Sequence, residues 1–158
     1  MTDSAIRHEV VVQASREQAF LYFVDRVNDW WPTDHSIGSV ARNDVVIEPS
    51  VGGIVYEVGD DGSRCQWGEV VTWDPPARLA VAWMISPSWQ FDPDRSNASE
   101  YTVDFEEIDA SETRVVLVHS HFERHGAGGD QLRAAVDGPG GWPLLLTNLT
   151  EIAARVSN

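Results

Sequence analysis

The last segment of the chain, Trp142 to Val156, constrains the fold more than any other. Trp142, Leu145, Leu146, Leu149, Ile152, Ala153 and Val156 recur at i, i+3, i+4, i+7, i+10, i+11 and i+14, the spacing of one helical face. Thr147, Asn148, Thr150, Glu151 and Arg155 fall on the opposite face. Pro143 suits the first turn, where its missing N–H has no partner to lose. A helix over 142–156 is roughly 22 Å long. Burying its apolar face contributes on the order of 10–20 kcal/mol gross, most of it offset by the entropy of ordering the segment. Such a helix is marginal alone, so the rest of the chain must supply a hydrophobic wall for it.

That wall reads as strands. Ile6–Gln13, with Val10, Val11 and Val12, predicts a first strand. Ser15 and Gln18 form a capping-box pattern, and Ala19, Phe20, Phe23, Val24 and Val27 continue a helix to about Asp25 or Val27. Asn28–Pro32 stops it. Strands are then expected at 44–49, 54–58, 64–73, 79–85, 99–108 and 113–122. Turns at Gly52-Gly53, Asp60–Ser63, Asp74–Ala77 and Asp109–Glu112 punctuate them. Residues 86–97 read as a long loop, and 131–136 as a short helix before the terminal one. The order β–α–β6–α gives an α+β fold, an antiparallel meander of six to seven strands curved around a long C-terminal helix. With 158 residues and no linker, the chain is expected to be a single domain over 1–158, long enough to hold a cavity.

Charge and residue usage narrow the function. The formal net charge is −14, which repels phosphate backbones and anionic lipid surfaces. All 11 basic residues are arginine, so lysine Schiff-base and Walker-type chemistry are excluded. No apolar run reaches the ~20 residues of a membrane span. The first residues carry no signal-peptide pattern, and Cys65 stands alone without a disulfide partner. The expectation is a cytoplasmic protein without nucleic-acid or membrane partners.

Several motifs occur together in a specific order. They are Ala19-Phe20 after the first strand, Trp30-Trp31, Glu48-Pro49 before Gly52-Gly53, and Trp67-Gly68-Glu69-Val70. Asp74-Pro75-Pro76, Leu79, Trp83, Leu117-Val118-His119 and Gly141-Trp142 complete the set. The set resembles the SRPBCC superfamily, with its START/Bet v 1-like helix-grip fold. Within it, the chain is similar to the branch named after the activator of Hsp90 ATPase homologue 1. The resemblance spans about residues 5–156. It implies a seven-stranded sheet gripping the last helix, with a pocket between them for a hydrophobic ligand. Relatives include polyketide cyclases, lipid and hormone binders, and an Hsp90-stimulating domain. Two features depart from the pattern: the strand end enlarged to His119-Ser120-His121-Phe122-Glu123-Arg124-His125, and Trp89 and Phe91 in the long loop.

Candidate site residues follow. On an extended strand His119, His121 and Glu123 share one face. They are the right types for Zn²⁺ but lack a further ligand at metal spacing, so no metal and no cofactor is expected. His119 or His121 could act as general acid or base. Glu57 faces the interior if Val55 does, paired with Arg64 or a histidine. No nucleophile motif is present. Among seven tryptophans, Trp30 and Trp142 read as core, while Trp31, Trp67, Trp83 and Trp89 are candidates for a pocket wall. Tyr56, Tyr101 and Phe105 complete that wall, with His119 and His121 as its polar handle. Trp89 and Phe91 read either as a lid or as a homodimer contact.

Three functions remain open. The first is binding of a small apolar or aromatic molecule between sheet and helix. The second is a cyclase-like enzyme using a pocket histidine. The third is a chaperone-interaction module, which the scarcity of basic residues weakens.

Overall fold

In a computed structural model the described residues are 5–32 and 42–157, with side chains through 155. His35 and the side chain of Val156 lie outside them. Seven strands form one antiparallel sheet: β1 (Ile6–Val12), β2 (Arg42–Ile47), β3 (Ile54–Gly59), β4 (Arg64–Asp74), β5 (Arg78–Trp83), β6 (Ser99–Asp109) and β7 (Glu112–Ser120). Their order across the sheet is β1-β7-β6-β5-β4-β3-β2. Strands β2 to β7 are the expected meander, and β1 closes the far edge by pairing with β7, Ile6 opposite His119 and Val12 opposite Thr113. The helices are α1 (Arg16–Asp25), α2 (Val27–Trp30), α3 (Gly129–Asp137) and α4 (Trp142–Ser157).

The predicted capping box forms. Ser15 accepts from the Gln18 backbone N–H, and the Gln18 side chain accepts from the Ser15 N–H. α1 ends at Asp25, but the chain coils once more as α2, which Asn28–Pro32 was expected to prevent. This extra turn carries Trp30 inward, where its indole N–H donates to the Tyr22 carbonyl at 3.2 Å.

α4 lies on the concave face as the periodicity requires. Trp142, Leu145, Leu146, Leu149, Ile152 and Ala153 are all buried in one core with inward-facing strand residues. Gly141 lets the helix start close to α3, because a Cβ there would strike the Val136 carbonyl. Asn148, on the polar face, donates to the Trp30 carbonyl at 3.0 Å and ties α4 to α2. His8 and Asp137, 2.7 Å apart, tie β1 to α3.

Two expected elements differ. The first part of the 86–97 segment is a tight hairpin folded back on the end of β5, with Ile85 bridging Phe91 and the Asp92 N–H bonded to the Met84 carbonyl at 2.8 Å, and Arg95–Asn97 form a 3-10 turn. Phe91 packs against Ala82, Met84 and Ala98, a small apolar cluster separate from the main core. β7 stops at Ser120 rather than Phe122, because His121 adopts a left-handed φ of 66° and the chain coils into 3-10 turns over Phe122–Gly128. No helix among the described residues is long and apolar enough to cross a membrane.

Candidate functional site

Where the sheet meets the start of α4, aromatic rings from five elements converge. Trp142 lies 4.9 Å from Tyr101, 6.0 Å from Trp83 and 5.8 Å from Trp31, ring centroid to centroid. Trp31, just past α2, lies 5.0 Å from Trp67 of β4, the two rings tilted at 43°. Trp31, Trp67, Trp83 and Tyr101, over Val81 and Ile85, enclose a residual void of about 10 Å³, the space of one water molecule.

A bulge places Trp67. Val55 pairs with Gly68 and Tyr56 with Gln66, so Trp67 is the extra residue between them. Gly68 permits the close approach of β5, since a Cβ there would run into the Ala82 carbonyl. The Trp67 indole N–H donates to Glu57 Oε1 at 2.9 Å. Glu57 is buried on the inner face with Val55, as alternation predicts. Arg64, one of the partners expected for it, stands over the Tyr56 ring at 4.8 Å.

Behind the cage runs a chain of hydrogen bonds whose direction chemistry dictates. The Trp142 indole N–H, which can only donate, reaches His119 Nδ1 at 3.0 Å. Nδ1 is therefore the accepting nitrogen, and the proton of the neutral ring sits on Nε2, 2.8 Å from Ser99 Oγ. Ser99 in turn gives both its backbone N–H (3.2 Å) and its hydroxyl (2.7 Å) to His125 Nε2. Both His119 nitrogens are committed, and the residue is fully buried. Burial, reinforced by the neighbouring His125, holds its pKa well below the ordinary histidine value. Burial also lowers His125, against the opposing pull of Asp92. Burial pushes the Tyr101 phenol above its usual range.

The structure thus gathers Trp31, Trp67, Trp83, Tyr101, His119 and Glu57 at one end of the core. Other candidates lie elsewhere. Tyr56 is on the opposite sheet face from Val55 and Glu57, because neighbouring strand residues alternate. Phe105 is buried against Phe20 (5.1 Å) and Phe23 (5.8 Å), at the α1 end. Trp89 is at the hairpin tip, 46% exposed with φ 63°. His121 is past the strand end, about half exposed, 3.6 Å from Glu123. The His119–His121–Glu123 face does not exist, since the left-handed turn at His121 ends the alternation. Among the described residues no three His, Cys, Asp or Glu side chains come together as a metal set. Ser99 is the member of this hydrogen-bonded chain that the sequence reading passed over, although its place in the inward series Ser99, Tyr101, Val103, Phe105 marks its direction.

Comparison with known proteins fits this architecture. The family model described as activator of Hsp90 ATPase homolog 1-like protein matches residues 13–154. An anthrahydroquino-γ-pyrone synthase, Txn09, solved in a complex with SUM, is 41% identical over 94% of this chain and 96% of its own, with a TM-score of 0.68. The self-sacrificing resistance protein CalC from Micromonospora echinospora is 30% identical over 96% and 95%, with a TM-score of 0.70. Protein MLL2253 from Mesorhizobium loti, 17% identical over 96% and 97% with a TM-score of 0.66, shares the fold. Among curated proteins none matches the sequence. On the match over residues 13–154 and the two relatives at 30% identity or more, the chain belongs to the activator of Hsp90 ATPase homolog 1-like family of the SRPBCC superfamily.

Proposed function

We propose that the protein binds a small, flat, uncharged aromatic molecule between the sheet and the N-terminal end of α4. The observation that carries this reading is the convergence of Trp31, Trp67, Trp83 and Tyr101 on one void from four separate elements. A core optimised only for packing has no need of so many large rings at one end, whereas rigid aromatics form a good wall for a planar guest. The void lining carries no charged side chain, and the molecule's charge of −14 opposes an anionic ligand. The description of Txn09 as a synthase of a fused aromatic product is in keeping with a guest of this class. Titration with neutral N-phenyl-1-naphthylamine tests the reading. Saturable energy transfer from tryptophan, weakened at least several-fold in Tyr101→Ala, which keeps every tryptophan donor, is the expected result. A linear, unsaturable response would overturn it.

A second reading, cyclase-like catalysis in the same cleft, is favoured by one observation: a buried carboxylate, Glu57, hydrogen-bonded to a ring that borders the void. His119 is a poor candidate for that base, because its two nitrogens are both occupied. A base in this cleft would speed proton–deuterium exchange at the carbon next to the carbonyl of 1-tetralone in D₂O. Glu57→Gln should abolish that acceleration while leaving naphthylamine binding in place. Equal exchange in both proteins, or none above buffer, would end the catalytic reading.

A further inference from the structure

The hydrogen bonds behind the ring cluster all run one way and end on His125. Trp142 donates to His119, His119 to Ser99, and Ser99 donates twice to His125 Nε2, through its hydroxyl (2.7 Å) and its backbone N–H (3.2 Å). A backbone N–H can only donate, so Nε2 carries no proton and the neutral ring keeps its hydrogen on Nδ1. Ser99 is the first residue of β6 and is fully buried. His125 is only partly buried, within reach of solvent protons. It sits on the 3-10 segment Phe122–Gly128, between positive φ angles of 66° at His121 and 77° at Gly126. Its two bonds to Ser99 fasten that segment to the sheet.

We propose that His125 is a proton-operated latch: neutral, it holds Phe122–Gly128 against the start of β6, and protonated, it lets that segment go. A proton on Nε2 turns the acceptor into a donor. The Ser99 hydroxyl can rotate to accept from it, but the Ser99 backbone N–H cannot, and is left buried with nothing to bond. The surrounding charges set the balance. Burial disfavours the charged ring, and the carboxylate of Asp92, at the foot of the hairpin, favours it. That carboxylate is itself engaged by the Asp94 N–H (3.0 Å) and the Asn97 amide (3.1 Å). His119 lies behind Ser99 on the sheet side, and Glu100, the next residue of β6, is on the opposite face. On the segment itself Arg124 reaches the Ala98 carbonyl at 3.5 Å and Glu123 stands 3.6 Å from His121. Arg95 pairs with Glu69 at 3.0 Å, and Asp130 at the start of α3 is exposed. The release is local, because α3 has its own anchors in buried Leu132 and Val136 and in Asp137 beside His8. What it uncovers is Phe122, which packs on the His119 ring at 4.3 Å, and so the back of the aromatic cluster.

The Ser99 amide is the direct reporter, since its protection depends on the latch. Its hydrogen exchange in the full chain, followed by NMR and corrected for the intrinsic pH dependence of amide exchange, is compared at pH 7.5 and 5.0. In the released segment the ring titrates near pH ~6.5, so acid favours the open form. Opening at Ser99 and over Phe122–Gly128 should rise about ten-fold in the unmodified protein. In His125→Gln, which offers an uncharged acceptor near the place of Nε2, it should rise less than about two-fold. An equal rise in the two proteins, or none in the unmodified one, would overturn the latch. A ring ¹⁵N spectrum of the unmodified protein at pH 7.5 should show Nε2 of His125 without a proton; the proton on Nε2 would overturn the proposal whether or not the variant folds.

Discussion

Lowering the pH should destabilise this protein through His119 specifically, and the size of the effect follows from the hydrogen-bond chain. In the folded state the ring is neutral, with Nδ1 accepting from Trp142 and Nε2–H directed at Ser99. Burial holds its pKa well below the ordinary value. In the unfolded chain the same ring titrates near pH ~6.5. Below that pH the unfolded state binds a proton that the folded state refuses, so stability falls as pH falls. The loss begins near the unfolded value and continues until the lowered folded value is reached. Between pH 7.5 and 5.5 it amounts to on the order of 1 kcal/mol for one such histidine. His119→Asn removes the titrating group and keeps an amide oxygen near the place where Nδ1 accepts from Trp142. The variant should be about 1–3 kcal/mol less stable at pH 7.5, because Ser99 Oγ loses the donor it accepts from and keeps only His125. Its further loss on going to pH 5.5 should be smaller than that of the unmodified protein by on the order of 1 kcal/mol. Urea unfolding followed by circular dichroism at the two pH values measures both quantities, and contributions from other groups largely cancel between the proteins. Equal acid-induced losses would refute the neutral, doubly committed ring. So would a ring ¹⁵N spectrum of the folded protein at pH 7.5 with the proton on Nδ1.

Gly68→Ala should cost about 2 kcal/mol or more, seen as a lower midpoint in thermal unfolding, because the new methyl meets the Ala82 backbone rather than a yielding side chain. Trp142→Phe leaves His119 Nδ1 without its donor and thins the ring cluster, and should cost about 2–4 kcal/mol in urea unfolding at neutral pH. Ser15→Ala removes the acceptor that caps α1 and should cost about 1 kcal/mol, read in the same assay.

Local chemistry was legible in the sequence where the signal and its cause lie a few residues apart. Ser15 and Gln18 announce the cap of α1 because the box closes within one turn. The hairpin turns are legible for the same reason. The terminal helix could be read because 3.6-residue periodicity reports a face directly, and six of its apolar positions are buried where described. The site was harder. Glu57 and Tyr56 were both assigned inward, although adjacent strand residues cannot share a face; alternation alone assigns Glu57 to the side of Val55 and excludes Tyr56. His121 was carried along by a strand pattern that the backbone abandons one residue earlier, and nothing in the side-chain order marks that left-handed turn. The pairing of Ser99 with His119 and His125 joins residues 20 and 26 positions apart. It depends on the register of β6 against β7, which no local pattern fixes.

The near-absence of free space in the cage bears on how a ligand would enter. Trp67, Trp83 and Tyr101 are built into strands whose backbones are paired on both sides. Moving any of them any distance costs ladder hydrogen bonds or a strained rotamer. Trp142 is pinned through its indole to His119, and through it to Ser99 and His125. Trp31 is different. It follows α2, outside the sheet, and is held through its backbone, by the Arg42 guanidinium on its carbonyl at 2.7 Å and by its own N–H on the Val27 carbonyl at 2.9 Å. Its ring can turn about χ1 without breaking either bond. Withdrawing it would open the contact it makes with Trp67 at 5.0 Å and uncover the void beneath. A planar aromatic guest taking that position would recover much of the area the indole gives up, so entry exchanges one ring for another rather than creating a cavity from nothing. Under the proposed ligand reading, the affinity for a flat guest depends on how firmly Trp31 is held.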